Sequence, residues 1–199
     1  MKSLLLLCVL ISSLLCSCTG YKTATGTKIT TSGGKQLVEN NKAQLSLLYY
    51  GDYWFHSLNR KTTLNYDQGF VKSIRSQPGK KLLLFTAHST IEPYCSTAGF
   101  LYKDCTLAET INGISFHLKS KLKAENLIVA TGNTNTKSYS TLSYELKNSK
   151  LKINCSYLEY YFTHDTNVVR IIFWTSDSNK SWLKSESEAI LETIRFGIG

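Results

Sequence analysis

Ser140-Thr-Leu-Ser-Tyr-Glu-Leu-Lys-Asn-Ser-Lys-Leu-Lys-Ile-Asn-Cys-Ser-Tyr-Leu-Glu-Tyr-Tyr-Phe162 contains two strands and the turn between them. From Ser140 to Leu146 the residues alternate: Leu142, Tyr144 and Leu146 fall to one side, Thr141, Ser143 and Glu145 to the other. A period of two marks a strand with one face against a core. Lys147-Asn148-Ser149 has turn chemistry, so the next strand is expected to return antiparallel. In that strand Leu151, Ile153, Cys155 and Tyr157 point inward, and Lys150, Lys152, Asn154 and Ser156 outward. The apolar phase then moves to Leu158, Tyr160 and Phe162, a shift that predicts a β-bulge. His164-Asp165-Thr166-Asn167 is a second turn, and Val168 to Thr175 reads as a central strand.

Helices flank this meander. Thr106 to Lys123 reads as one, with Thr106 as cap and Glu109 completing a capping box. Leu107, Ile111, Ile114, Leu118 and Leu122 share one face, while Gly113 inside costs about 1 kcal/mol against Ala. A second helix is expected from about Lys180 to Ile194, with Leu183, Ile190, Leu191 and Ile194 toward the sheet. Leu127 to Ala130 is a short strand. Lys80 to His88, after a Pro78-Gly79 turn, is an apolar run that reads as a strand buried on both faces. Periodicity does not decide between helix and strand for Gln36 to Leu48. The aromatic block Tyr49, Tyr50, Tyr53, Trp54 and Phe55 can line a ligand surface or pack into core and sheet. The expectation is an α+β domain over residues 35–199: an antiparallel sheet of about five to six strands packed by helices.

From the helix at Thr106, through the meander, to the closing Glu188-Ala-Ile-Leu-Glu-Thr-Ile-Arg-Phe196, this order of elements resembles the PsbP/Mog1-like α/β/α sandwich. The strand Tyr144-Glu145-Leu146 and the strands ending in Ile171-Ile172-Phe173 are similar to its core hairpins. The resemblance implies a largely non-enzymatic class of accessory factors, assembly factors and lipoproteins. It carries over no functional residue.

The amino terminus carries a location signal. Lys2 precedes an apolar run from Leu4 to Leu15, too short for the about twenty residues of a membrane span and of the length of an export signal. Leu15-Cys16-Ser17-Cys18 resembles a bacterial lipobox, with small Ser17 before the modified cysteine; Cys16 follows bulky Leu15. On this reading residues 1–17 are a signal peptide and Cys18 carries acyl chains, palmitate among them. Residues 18–34, rich in Thr, Gly and Lys, are a tether with a short strand at Thr27 to Thr31. Each buried methylene contributes about 0.8 kcal/mol, so two or three chains anchor nearly permanently. Thr19 after the cysteine favours the outer membrane over the inner or cytoplasmic one. The alternative is an ordinary secretory signal, cleaved after Cys18 or Gly20, and a soluble secreted protein.

Composition fits a folded globular chain, 42% hydrophobic and 12% aromatic. The net charge of +9 draws such a protein to anionic headgroups. Nucleic acid is excluded as a partner, since no Arg-rich stripe or recognition motif is present. In an oxidising space Cys95 and Cys105 are the natural disulfide pair, leaving Cys155 as a buried thiol. Metal ligation is not expected, with no Cys-x-x-Cys and four scattered histidines, and no cofactor motif is present. His88-Ser89, followed by Glu92 and Cys95, is the best catalytic constellation. It lacks a nucleophile elbow, and neighbours on a strand point to opposite faces. The expectation is a non-catalytic binding, accessory or assembly module at the cell envelope, with the membrane and an unidentified envelope protein or ligand as partners. The alternative is a lipid-tethered hydrolase using His88 and Ser89.

Overall fold

β10 (Ile153–His164) and β11 (Asn167–Ser176) lie at the heart of an antiparallel sheet of seven strands. On one side of the pair are β9 (Ser138–Asn148) and β8 (Glu125–Asn133); on the other are β7 (Ser96–Tyr102), β6 (Lys80–His88) and β5 (Tyr53–Phe55). The computed structural model describes residues 21–23, 26–51, 53–55, 80–88, 96–148 and 152–197.

The bulge expected in the strand after Ser149 is not there. β10 pairs without a break against β9, from Ile153↔Asn148 to Tyr161↔Ser140. It pairs equally regularly against β11, from Cys155↔Ser176 to His164↔Asn167. The apolar phase shifts for a different reason: the sheet is covered on two faces, so β10 needs apolar residues at odd and even positions alike. Cys155, Tyr157 and Tyr161 face one core with Leu142, Phe100, Ile172 and Trp174. Tyr160 and Phe162 face a second core with Val169, Ile171 and Phe173.

Helix α1 (Leu107–His117) covers the first core with Ile111 and Ile114, and Leu118 of the following π-helical turn (Leu118–Leu122) joins them. Its capping box is made as expected. Thr106 accepts from the Glu109 amide at 3.2 Å, and the Glu109 carboxylate accepts from the Thr106 amide at 3.0 Å. The second core is closed by α2 (Lys180–Leu191) and by a second antiparallel sheet. That sheet has the order β1 (Tyr21–Thr23), β2 (Thr27–Ser32), β3 (Lys35–Asn40), β4 (Leu45–Tyr50) and β12 (Arg195–Phe196). Leu183, Ile190, Leu191 and Ile194 pack here against Ile29, Val38, Leu45 and Leu47.

The α+β class therefore stands, with the sheet lying between α1 on one face and α2 plus a five-stranded sheet on the other. The stretch from Gln36 to Leu48 resolves into β3 and β4. The tether expected over residues 18–34 ends sooner, because residues 27–34 build a hairpin. Gly33 and Gly34, at φ of 56° and 72°, make its two-residue turn, and Ile29 is 1% exposed in the core.

Candidate ligand groove

A single helix cannot cover seven strands. α2 packs on β10, β11 and β4, which, among the described residues, leaves the β8–β9 side of its face of the sheet bare. A groove of about 620 Å³ lies between the helix and that bare sheet. Its floor follows from the register. Thr141 is opposite Tyr160, and Ser143 is opposite Leu158, so these four side chains share one face. Ser156 extends the floor toward the start of α2. Tyr139 closes the other end, its ring edge-on to Tyr160 at 5.2 Å. The Tyr139 ring lies over Gly132, where an added Cβ would come within 2.6 Å of it.

The helix supplies the charged wall: Lys180, Lys184 and Glu188. Lys180 donates to Glu145 at 2.6 Å, and Asn126 donates to the other Glu145 oxygen at 2.8 Å. The hydrogen bond from Lys180 holds the Glu145 carboxyl below its ordinary value, and the same bond raises Lys180. Burial raises the Tyr160 hydroxyl, which shares a 3.0 Å hydrogen bond with Ser187. The lining thus offers hydroxyls, the leucines Leu158 and Leu183, two ammonium groups and the Glu188 carboxylate, and no histidine or cysteine is among its residues. It is equipped to hold a ligand by hydrogen bonds and apolar contact.

Through the sheet, on the α1 face, lies the one fully interior ion pair among the described residues. Arg170 and Glu159 are 1% and 0% exposed. Arg170 Nη2 and Nε donate to the two Glu159 oxygens at 2.5 and 2.8 Å. The Tyr144 hydroxyl joins on Oε1 at 2.5 Å and the Tyr161 hydroxyl on Oε2, while Arg170 Nη1 donates to the Tyr102 hydroxyl at 3.0 Å. Burial is the strongest influence and opposes the Arg170 charge, but Glu159, Tyr161 and Tyr102 together outweigh it and hold the guanidinium well above its ordinary value. Burial raises Tyr144, Tyr161 and Tyr102. Every hydrogen-bonding position of the carboxylate is occupied from within the protein, so this cluster is a structural element of the sheet.

Two rings of the aromatic block expected as a possible ligand surface, Tyr49 and Tyr53, are packed inside. They are 0% and 2% exposed and meet edge-on at 4.9 Å; Tyr53 donates to Glu186 at 2.8 Å. Of the block's described side chains Tyr50 is the exposed one, with Lys35 above it. The expected Cys95–Cys105 disulfide gains no support. Cys105 is a half-buried thiol, to which Thr110 donates at 3.3 Å. Cys155 is buried opposite Leu146 and Ser176. The side chains of Trp54, Phe55 and His88, and residues Cys18, Ser89, Glu92 and Cys95, lie outside the described residues.

Sequence reasoning missed the groove, although its floor residues Thr141, Ser143 and Ser156 are the outward set of the alternating strands. It also passed over Glu159 and Arg170, each set among apolar residues of a buried face. Among the described residues no helix is long and apolar enough to cross a membrane.

No family model matches the sequence, and no curated protein matches it. Solved structures do. The solution structure of cyanobacterial PsbP (CyanoP) from Synechocystis sp. PCC 6803 is similar with a TM-score of 0.58 and 14% identity, over 91% of this chain and 100% of that one. The crystal structure of LpqN, involved in cell envelope biogenesis of Mycobacterium tuberculosis, has a TM-score of 0.52 and 8% identity, over 80% of this chain and 88% of that one. Identities this low speak to fold and not to function: the α+β sandwich of this chain is similar to the PsbP-like fold.

Proposed function

We propose that this chain is a non-catalytic binding or assembly module of the cell envelope, held at the outer membrane by acyl chains on Cys18, with the α2 groove as its recognition surface. The groove carries the reading: preformed sites that combine an apolar floor with a few convergent polar groups are where ligands bind. The interior charges of Glu159 and Arg170 face away from it and satisfy each other, so the scaffold is stiff and the chemistry of the groove is that of holding. LpqN, a structure of similar fold, is named for envelope biogenesis, which agrees with an envelope role.

Two measurements test the two halves. Cells fed an alkyne fatty acid should label the wild type and not Cys18→Ser; an unlabelled wild type, or label that persists in the variant, overturns the anchor. A photo-crosslinker at Ser143, in the groove, should capture a discrete adduct that the same probe at Asn112, on the outer side of α1, does not. Identical adducts at the two positions overturn the groove as the recognition surface.

A further inference from the structure

The two ends of the seven-stranded sheet differ in charge. The register brings the start of β8, the end of β9 and the start of β10 to one end, with Glu125 opposite Glu145 and Asn148 opposite Ile153. The π-helical turn after α1 leads into β8 there, and the Lys180–Glu145 contact places the start of α2 beside them. These elements carry Lys119, Lys121, Lys123, Lys147, Lys152 and Lys180, all exposed. Three carboxylates share that end: Glu125, Glu145, which Lys180 occupies, and Asp177, which accepts from Ser156. The opposite end is closer to balance: it carries Lys80 and Lys81 at the start of β6, Lys103, Lys137 and Arg195, against Asp104, Glu109, Asp165 and Glu192, with His164 3.7 Å from Asp165.

Two further observations single out the lysine-rich end. Phe116, near the end of α1 and three residues before Lys119, is 72% exposed, more than any other described large apolar side chain. An exposed aromatic ring among ammonium groups is the combination by which peripheral proteins sit in a bilayer interface. β1 also runs from the direction of this end. β1 begins at Tyr21, and its register through Ile29 and Val38 to Leu47 shows that it runs away from the Tyr49 side of its sheet. Tyr49 packs on Tyr53, whose partner strand leads from His88 and Ala87 through Ser96 to Trp174, the lysine-side end of β11.

We infer that the lysine-rich end, with Phe116 at its apolar point, is laid against an anionic lipid surface. The inference deepens the envelope reading above and rests on it for its setting, yet it is testable without the anchor. The probe is the full chain carrying Cys18→Ser, cosedimented with phosphatidylcholine vesicles with and without phosphatidylglycerol. Binding is expected only with phosphatidylglycerol and should weaken with salt. Each lysine near such a surface contributes about a fivefold gain in binding. Lys119→Gln/Lys121→Gln/Lys123→Gln should therefore bind roughly a hundredfold more weakly, and Phe116→Ser should also lose affinity. Lys28→Gln/Lys42→Gln/Lys103→Gln, which removes as much charge elsewhere, should bind as the parent does. Equal binding to the two vesicle types, or equal losses in the two triple variants, overturns the assignment. Acyl labelling of Cys18 is a separate readout, so either idea can fail alone.

Discussion

Glu159→Gln removes one oxygen from a site where four donors converge on two. In the wild type Tyr144 and Arg170 Nη2 donate to Oε1, and Tyr161 and Arg170 Nε donate to Oε2. The glutamine amide puts N–H groups where two donors already point and leaves the guanidinium, 1% exposed, with no countercharge. Breaking a buried pair from one side costs roughly 3–5 kcal/mol. A domain of this kind has about 5–15 kcal/mol in total, so the variant should lose roughly a fifth or more of its stability. Glu159→Gln/Arg170→Met removes the stranded charge as well. It still leaves the hydroxyls of Tyr102, Tyr144 and Tyr161 short of partners, at about 1–3 kcal/mol for each one left unsatisfied. The double variant should therefore be less destabilised than the sum of Glu159→Gln and Arg170→Met. Urea unfolding followed by tryptophan fluorescence reads this directly, since Trp174 stacks on Tyr157 in the same core. A loss below about 1 kcal/mol for Glu159→Gln, or additivity within about 0.5 kcal/mol, would refute the claim that the pair acts as one unit.

Burial holds Tyr144, Tyr161 and Tyr102 above the ordinary 10.0, so as pH rises the unfolded chain releases their protons first. Their contribution is complete below about pH 10 and is lost above it; tyrosinate absorbance should rise together with unfolding, and full titration in an intact fold would contradict the burial argument. Gly113→Ala should stabilise by about 0.5–1 kcal/mol, because it is helical and nothing lies within 4 Å of the added Cβ; a lower thermal midpoint would count against it. Gly132→Ala should have the opposite sign, by roughly 1–3 kcal/mol, since the methyl meets the Tyr139 ring at 2.6 Å. It should also weaken any groove ligand, and unchanged stability would mean that the ring does not rest there.

The legible parts of the fold were those in which one local rule governs. β9 alternates because its outward side, Thr141 and Ser143, is left uncovered, and α1 begins where Thr106 and Glu109 can cap each other. β10 misled because a period of two carries information only while one face is wet. Once α1 and α2 cover the two faces, an apolar residue is welcome at every position, and a covered strand looks like a slipped one. The second sheet was opaque for a related reason. β4 buries Leu45, Ser46, Leu47 and Tyr49, while β3 buries only Val38 and Asn40, one of them polar, so the apolar residues of the stretch follow neither a helical nor a strand period. β12 is a strand of two residues that exists only because β4 offers it an edge.

The groove raises a different difficulty, since it is made by what is missing above the sheet. Thr141, Ser143 and Ser156 look like ordinary solvent-facing positions in sequence, and only the placement of α2 over β10 and β11 turns them into a floor. The buried pair, by contrast, left a trace. Glu159 falls in phase with Cys155, Tyr157 and Tyr161, and Arg170 with Val168, Ile172 and Trp174. Two opposite charges on apolar faces of consecutive antiparallel strands, close to their shared turn, must meet or neither can be buried. The register brings them together: Tyr161 pairs with Arg170 and Glu159 with Ile172, which makes the two charges diagonal neighbours. A charge that breaks an apolar phase is thus a stronger long-range signal than the apolar residues around it, because only one kind of partner can satisfy it.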